Sequence, residues 1–328
     1  MTYVVIVTYG NRKTYLERVL NYFTPVDAIQ IIVVNNNSDY SVAELILSLN
    51  RPEIFCINSK ENKGSAWGYK TGIQYASEQE DCDFIWLLDD DNLPETNSLE
   101  ILQSQFDFFK SKKENNNFAL MAYRTDRKYI SNVVRGEPVK WNFPQSDAFL
   151  GFHLFKLHYL ISKKLKLFKK TSFENNITIP CAPYGGFFFH KDLIQLIGFP
   201  DERFFVYADD FDFTYRIQEL GGVIYLIKDC KIYDLEQTWQ ADSKKKMFSP
   251  NILTVDSNKV YLSTRNFIYF QNQHLVRNRF IFNLNRIVYS NYLYLLAILK
   301  GKKANFRRFL EATNDGLNGN FNNNKYPI

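Results

Sequence analysis

The chain has 328 residues, 45% of them apolar and 23% charged, the composition of an ordinary folded protein whose core needs no staples. Its charge is uneven: residues 241–328 hold 14 Lys+Arg against 4 Asp+Glu, whereas residues 1–240 hold 26 against 31. The basic tail suits anionic lipid or a phosphate-bearing acceptor, but no recognition motif accompanies it, and nucleic acid is not an expected partner.

In chain order, the first 120 residues alternate apolar, β-branched runs with stretches of helical spacing. Residues 3–8 predict a strand, 14–23 a helix, and 30–35 a strand whose unbroken apolar run suits burial on both faces. A short helix is expected over 41–49, a strand over 54–58, a helix over 64–77 despite its glycines, and a strand over 83–88 that runs into three aspartates. This alternation predicts a mostly parallel sheet flanked by helices. In such sheets ligands bind beyond the carboxyl ends of the strands, so the turns after Thr8, Asn35 and Leu88 should face one cleft. Residues 118–239 should continue the sheet. A polar, Lys-rich stretch at 242–246 then predicts a boundary between a domain over 1–240 and a helical extension over 241–328. There is no internal repeat, GxGxxG loop or P-loop.

Four cysteines, Cys56, Cys82, Cys181 and Cys230, are widely spaced without a CxxC pair and read as buried thiols of a reducing compartment. No basic stretch precedes the first apolar run, so no signal peptide is expected. The most apolar stretch, 280–299, is interrupted by Asn283, Asn285, Arg286, Ser290 and Asn291 and is not expected to span a membrane. The expected location is cytoplasmic, with the inner face of the plasma membrane as the place where a basic tail would act. Aromatics reach 16%, which serves core packing, sugar stacking or a membrane-interface surface.

Asp89-Asp90-Asp91 follows a strand directly. Three adjacent carboxylates repel one another unless a cation neutralises them. Asp89 and Asp91 should point to one side, and one or two carboxylates plus substrate phosphates is the usual way of holding Mg2+ or Mn2+. The plainer reading is a solvated acidic turn or a helix cap. Asp209-Asp210-Phe211-Asp212 follows an aromatic run and opens a helix expected over 213–220, ended by Gly221-Gly222. One aspartate is enough to cap a helix, and here three fall within four residues. An aspartate at a helix start, walled by aromatics, suits a general base for a sugar hydroxyl. Asp210 is the first candidate and Asp209 the alternative.

In their order these motifs resemble family 2 glycosyltransferases of the GT-A fold, over about residues 3–236. Val7-Thr8-Tyr9 with Asn11-Arg12 looks like the family's opening nucleotide-binding loop. Val33-Val34-Asn35-Asn36-Asn37-Ser38 resembles its V-V-D-N-x-S stretch, and Asn62-Lys63-Gly64-Ser65-Ala66-Trp67-Gly68 its N-x-G-x-A-x-G loop. Asp89-Asp90-Asp91 matches the D-x-D metal and nucleotide motif, and Gly185-Gly186-Phe187, after Tyr184, an acceptor-side loop. Residues 197–205 with Asp209-Asp210-Phe211-Asp212 and Arg216 resemble the G-x-F-D-E-x-F-F…E-D-x-D…R block. Within the family the chain looks most like bacterial rhamnosyl- and galactofuranosyl-transferases of cell-surface polysaccharide synthesis.

The resemblance implies a nucleotide site of Thr8, Tyr9, Asn11, Arg12, Asn35, Asn37, Asn62, Gly64, Asp89 and Asp90. It implies a sugar and acceptor pocket of Tyr184, Gly185, Gly186, Asp212 and Arg265, the last from an R-N pair at Arg265-Asn266. Two departures matter. Asn35 replaces the usual Asp, which leaves the nucleobase open between UDP, favoured, and dTDP. Lys231-Ile232-Tyr233-Asp234-Leu235 lacks the usual metal-binding His, so Asp234 would join Asp89 and Asp91 as a ligand, or that ligand is absent. For Arg265 the competing reading is an exposed helix arginine. His190 reads as a packed histidine.

The expected chemistry is inverting transfer from the nucleotide sugar to a hydroxyl of a glycan or lipid-linked acceptor. Further on, Arg277, Arg279, Arg286, Lys302, Lys303, Arg307 and Arg308, interleaved with Phe, Leu and Tyr, suggest an amphipathic pair of helices. These suit an anionic membrane surface, a homo-oligomer interface or a solvated basic face. A sugar nucleotidylyltransferase and a non-catalytic carbohydrate-binding protein are the alternative classes. The first would release pyrophosphate, and the second would not need both aspartate clusters.

Overall fold

The computed structural model describes residues 1–23, 29–112, 116–164, 177–236, 253 and 257–322. The chain divides into two compact units. The first is Met1–Val134, Phe173–Phe205 and Asp209–Asp242; the second is Arg135–Ser172, Val206–Ala208 and Ser243–Ile328. The second therefore draws in residues 135–172 as well as the C-terminal segment. The boundary stretch expected at 242–246 lies outside the described residues.

Among the described residues of the first unit, nine strands form one sheet: β1 (Thr2–Gly10), β2 (Ile29–Ser38), β3 (Ile54–Ser59), β4 (Phe84–Asp89), β5 (Asn92–Pro94), β6 (Phe118–Arg124), β7 (Ile177–Ile179), β8 (Phe187–His190) and β9 (Val223–Asp234). The order is β3-β2-β1-β4-β8-β6-β9-β5, with β7 paired to β9. β3, β2, β1 and β4 run parallel, as the strand–helix alternation implies. β8 is antiparallel to both of its neighbours, which makes the sheet mixed. Val4, Val5 and Ile6 of β1 are fully buried, as a central strand covered on both faces requires.

The helix Gly64–Ser77 shows why glycines sit in a helix here. A Cβ on Gly68 would lie 2.6 Å from Val7 Cγ1, and one on Gly72 2.3 Å from Val5 Cγ1. The two glycines let the helix lie directly on β1, and that packing outweighs their low helix propensity. The helix expected to open at residue 213 begins at Asp209 (Asp209–Glu219), so all three aspartates lie in its first turn, where the helix dipole favours negative charge. Cys82, Cys181 and Cys230 are buried, Cys56 is half-buried, and all four are free thiols. His190 packs against the rings of Phe84 and Phe106.

The second unit is helical in its described C-terminal part: Ser257–Phe270, Gln271–Leu275, Arg279–Leu299 and Lys303–Asn318. Its core joins Phe149, Ile268, Phe282, Leu293 and Phe309. Asn285 ties in the earlier segment, donating to Asp147 O and accepting from Leu154 N–H. Arg265 is fully buried here, which corrects the exposed-arginine reading. Its guanidinium lies 4.9 Å from the Phe321 ring centre, and its Nε donates to Asn266 Oδ1. Asn266 also donates to the carbonyls of Val206 and Tyr207. Among the described residues no helix is long and apolar enough to cross a membrane.

Candidate active site

Strand register places the site. In the parallel pairs Thr8 lies opposite Asn35, Asn35 opposite Asn58, and Val7 opposite Asp89, so these residues form one row at the carboxyl edge of the sheet. The chain then turns back as β5, whose Asn92 pairs with Asp234 of β9. The Leu235 N–H donates to Asp91 O, which brings Asp234 beside the aspartate triplet.

The three carboxylates take three different environments. Asp89 Oδ1 accepts from the Tyr69 hydroxyl at 2.7 Å, and its Oδ2 from Arg124 Nη1 at 3.3 Å. Asp90 accepts from Arg12 Nε at 2.6 Å, and its other oxygen is buried without a hydrogen bond. Burial and the neighbouring Asp91 push Asp90 up to about 7 against the pull of Arg12. Asp91 accepts from Arg12 Nη2 and from Asn92 Nδ2. Burial and the Asp89 charge raise it too. Asp234 is pushed up to about 8 by burial and by Asp91.

Two arginines hold this negative charge. Arg12 donates to Asp90, Asp91 and Glu236, so the residue expected to meet a nucleotide spends its fork on the triplet. Arg124, at the end of β6, is fully buried. It donates to Asp126, Asn92, Asp89, the Gly185 carbonyl and Asp234, at 2.7–3.3 Å. Gly185 is glycine for the same reason. A Cβ there would lie 2.0 Å from Asn92 Oδ1, 2.2 Å from Arg124 Nη1 and 2.6 Å from Asp89 Oδ2. Sequence reasoning missed Arg124, a single arginine closing the apolar strand FALMAYR.

Beside the triplet, the loop expected to hold the nucleotide is pinned by Asn36, a second residue that sequence reasoning passed over. Buried Asn36 donates to Asn62 Oδ1 and Gly64 O and accepts from Lys63 N–H. Asn62 Oδ1 also accepts the Gly64 N–H. Asn35 donates to Asn58 and accepts the Ser38 N–H through the carbonyl expected to read a base, leaving one lone pair there. Thr8 is buried against the Tyr40 hydroxyl, while Asn11 and Asn37 are exposed and Tyr9 is about half exposed.

The second aspartate cluster connects to the first through two tyrosines. The rings of Tyr69 and Tyr184 lie 4.0 Å apart; Tyr69 bonds Asp89, and Tyr184 lies against Asp209 and Asp210. Asp209 accepts from Ser65 Oγ at 2.9 Å and is pushed up to about 8 by burial and by Asp210. Asp210 accepts its neighbour's N–H, from Phe211, and is pushed up to about 7 by burial, with the Asp89 charge adding to the rise. Asp212, expected in the sugar pocket, is held by Arg216 at 3.1 Å. Arg216 also donates to the carbonyls of Ile197 and Phe199, so this ion pair anchors the helix.

Residues 3–195 match the family described as glycosyl transferase family 2. The chain belongs to that family. Among curated relatives it is 26% identical over 223 residues to the galactofuranosyltransferase GlfT1 of Mycolicibacterium smegmatis, covering 66% of this chain and 65% of that protein. It is 20% identical over 320 residues to the dTDP-rhamnosyl transferase RfbF of Shigella flexneri, covering 97% and 95%. Among solved structures it resembles GalNAc-T7 with UDP, GalNAc and Mn2+ at a TM-score of 0.52 and 12% identity, over 82% of this chain and 48% of that one. The first curated match thus spans just under two thirds of the relative, and the structural match about half. The fold of this family 2 member is GT-A, with a mixed, mostly parallel sheet between helices.

The donor set at the triplet fits a divalent cation. Asp91 and Asp234 face each other, both raised by burial and by neighbouring carboxylates, a surplus of negative charge that a cation would relieve. Among the described residues no three His, Cys, Asp or Glu side chains form a ready metal cage. Such an ion would therefore be completed by oxygens of a bound diphosphate, the habit of Mg2+ and Mn2+.

Proposed function

We propose that this family 2 member is an inverting glycosyltransferase. It moves a sugar from a UDP- or dTDP-linked donor to a hydroxyl of a glycan or lipid-linked acceptor in cell-surface polysaccharide synthesis. The observation that carries the reading is the pairing of two aspartate clusters across the Tyr69–Tyr184 contact, one suited to a diphosphate and its cation, the other raised toward neutral pH. The names of the two curated relatives favour a rhamnosyl or galactofuranosyl donor.

In this account the row Thr8, Asn35 and Asn58, with the 62–64 loop, holds the nucleoside. Asp91 and Asp234, with Asp89 beside them, would hold Mn2+ or Mg2+ together with oxygens of the donor, and that ion would supply positive charge to the departing diphosphate. Arg12 and Arg124 keep the carboxylates aligned. Asp210 takes the acceptor hydroxyl proton, and its rise to about 7 suits a base working near neutral pH. Asp209, bonded to Ser65, holds the neighbouring position and is the alternative base. Attack from the acceptor side in one displacement inverts the anomeric carbon without a covalent enzyme intermediate.

The test is to incubate the chain with UDP-galactofuranose or dTDP-rhamnose, Mn2+ and an acceptor glycan, and read the products. Release of nucleoside diphosphate, with the opposite anomeric configuration in the new linkage by NMR, is expected. Pyrophosphate release or a retained configuration would overturn the proposal.

A further inference from the structure

The two units carry opposite charge. The first holds 18 Lys+Arg against 30 Asp+Glu, and the second 22 against 5. Within the second, residues 277–310 contain eight basic residues and no acidic one. The same unit includes residues 151–172, with six lysines and again no acid.

Among its described residues this basic unit also exposes an apolar helix face. One side of Arg279–Leu299 packs Phe282, Asn285, Leu293 and Ala297 inward. The opposite side exposes Phe280, Leu284, Ile287, Tyr294, Leu295 and Ile298, with Phe280 77% and Leu295 60% accessible. At 3.6 residues per turn these six positions fall within about 100° of the helix circumference. The stripe runs the length of the 21-residue helix, roughly 30 Å. Scattered exposed apolar residues are ordinary, but six along one helix face, broken within that arc only by Asn291, mark a surface that something covers. Arg277 and Arg279 stand at one end of it, and Lys300, Lys302 and Lys303 at the other.

We propose that this face docks on an anionic lipid surface, the stripe entering the headgroup–acyl boundary and the basic residues meeting lipid phosphates. Charge decides between this occupant and a second copy of the chain. An isologous dimer across the stripe would bring together, from each copy, the basic residues at its two ends, Arg277, Arg279, Lys300, Lys302 and Lys303, with no acidic residue between 277 and 303 to offset them. An anionic membrane supplies both the apolar depth and the opposite charge. The inference does not rest on the transferase proposal, because its readout is physical binding and not turnover.

The experiment is sedimentation of the full chain with vesicles of phosphatidylglycerol and phosphatidylcholine, and with phosphatidylcholine alone. Two variants accompany the wild type. One is Leu284→Gln with Ile287→Gln and Leu295→Gln, all three exposed; the other is Lys300→Glu with Lys302→Glu and Lys303→Glu. Wild type should co-sediment with the anionic vesicles at low salt and be released by added salt. The apolar variant should bind at least about tenfold more weakly. The charge variant should also weaken, since each basic residue near such a surface is worth about fivefold in partition. Each variant should keep the wild-type circular dichroism spectrum. Equal binding to neutral and anionic vesicles, unchanged binding of both variants, or a stripe-dependent dimer that ignores vesicles would each overturn the proposal.

Discussion

Replacing Arg124 by methionine removes the cation on which Asp89, Asp126 and Asp234 all lean, and the structure says which of them suffers. Asp126 keeps Arg127 at 2.9 Å, and Asp89 keeps the Tyr69 hydroxyl at 2.7 Å. Asp234 keeps the Glu236 N–H and the more distant charge of Arg127, while still facing Asp91. Breaking a buried ion pair by deleting one partner costs about 3–5 kcal/mol. In a domain of this size that lowers the melting temperature by roughly 10 °C. The cost should depend on pH with a definite sign. Without Arg124 the Asp234 carboxyl, already raised in the wild type, rises further, so the folded variant binds more protons than the unfolded chain. The deficit is then smaller near pH 6, where Asp234 is protonated, and larger above pH 8, where it must ionise. The assay is differential scanning fluorimetry of wild type and Arg124→Met across this range. A variant that melts within a degree or so of wild type at high pH, or whose deficit shrinks as pH rises, would refute the role given to Arg124.

Three further predictions concern the site. Gly185→Ala puts a methyl group where Asn92, Arg124 and Asp89 stand, all nearer than 3 Å, and should cost about 1–3 kcal/mol by overpacking while weakening donor binding, as read by melting and by calorimetric titration. Asp210→Asn should leave the melting temperature and donor affinity near wild type and lower transfer by roughly 100- to 10,000-fold. In the wild type, transfer should rise with pH through the range about 7 to 8 in which the Asp209/Asp210 pair loses its protons, and a rate flat across that range would argue against a carboxylate base.

Much of the first unit was legible because its signals are local. The continuous apolar run of β2 and the aspartates closing β4 each lie within ten residues and speak for burial on both faces and for a cleft beyond the strand ends. The order of motifs added the family. What stayed hidden depends on pairing over long separations. Arg124 meets Asp89 across 35 residues and Asp234 across 110, and nothing in the strand FALMAYR distinguishes a buried arginine from one that ends a strand in solvent. Arg12 resembles a nucleotide contact in its loop, and its ion pairs with Asp90 and Asp91, 78 and 79 residues on, are not visible in that loop. Asn36 and Asn35 alternate along one strand, and only the fold tells which of them points to the 62–64 loop. The helix begins at Asp209, four residues before the expected start, because aspartates that resemble a cap form its first turn. The burial of Arg265 depends on Tyr261 and on Phe321, more than fifty residues away, and its spacing alone gave no sign of it.

The central claim is that the carboxyl edge of β1, β2 and β4 binds a nucleotide sugar together with a cation held by the triplet. It is tested most directly by thermal shift of wild type and Asp91→Ala with UDP- and dTDP-sugars, in Mn2+ and in EDTA. The account predicts stabilisation of wild type by several degrees, roughly what 1–2 kcal/mol of binding supplies, with one nucleotide in Mn2+. That shift should be lost in EDTA and in Asp91→Ala. Equal stabilisation of the variant, or none of the wild type by either nucleotide, would contradict it.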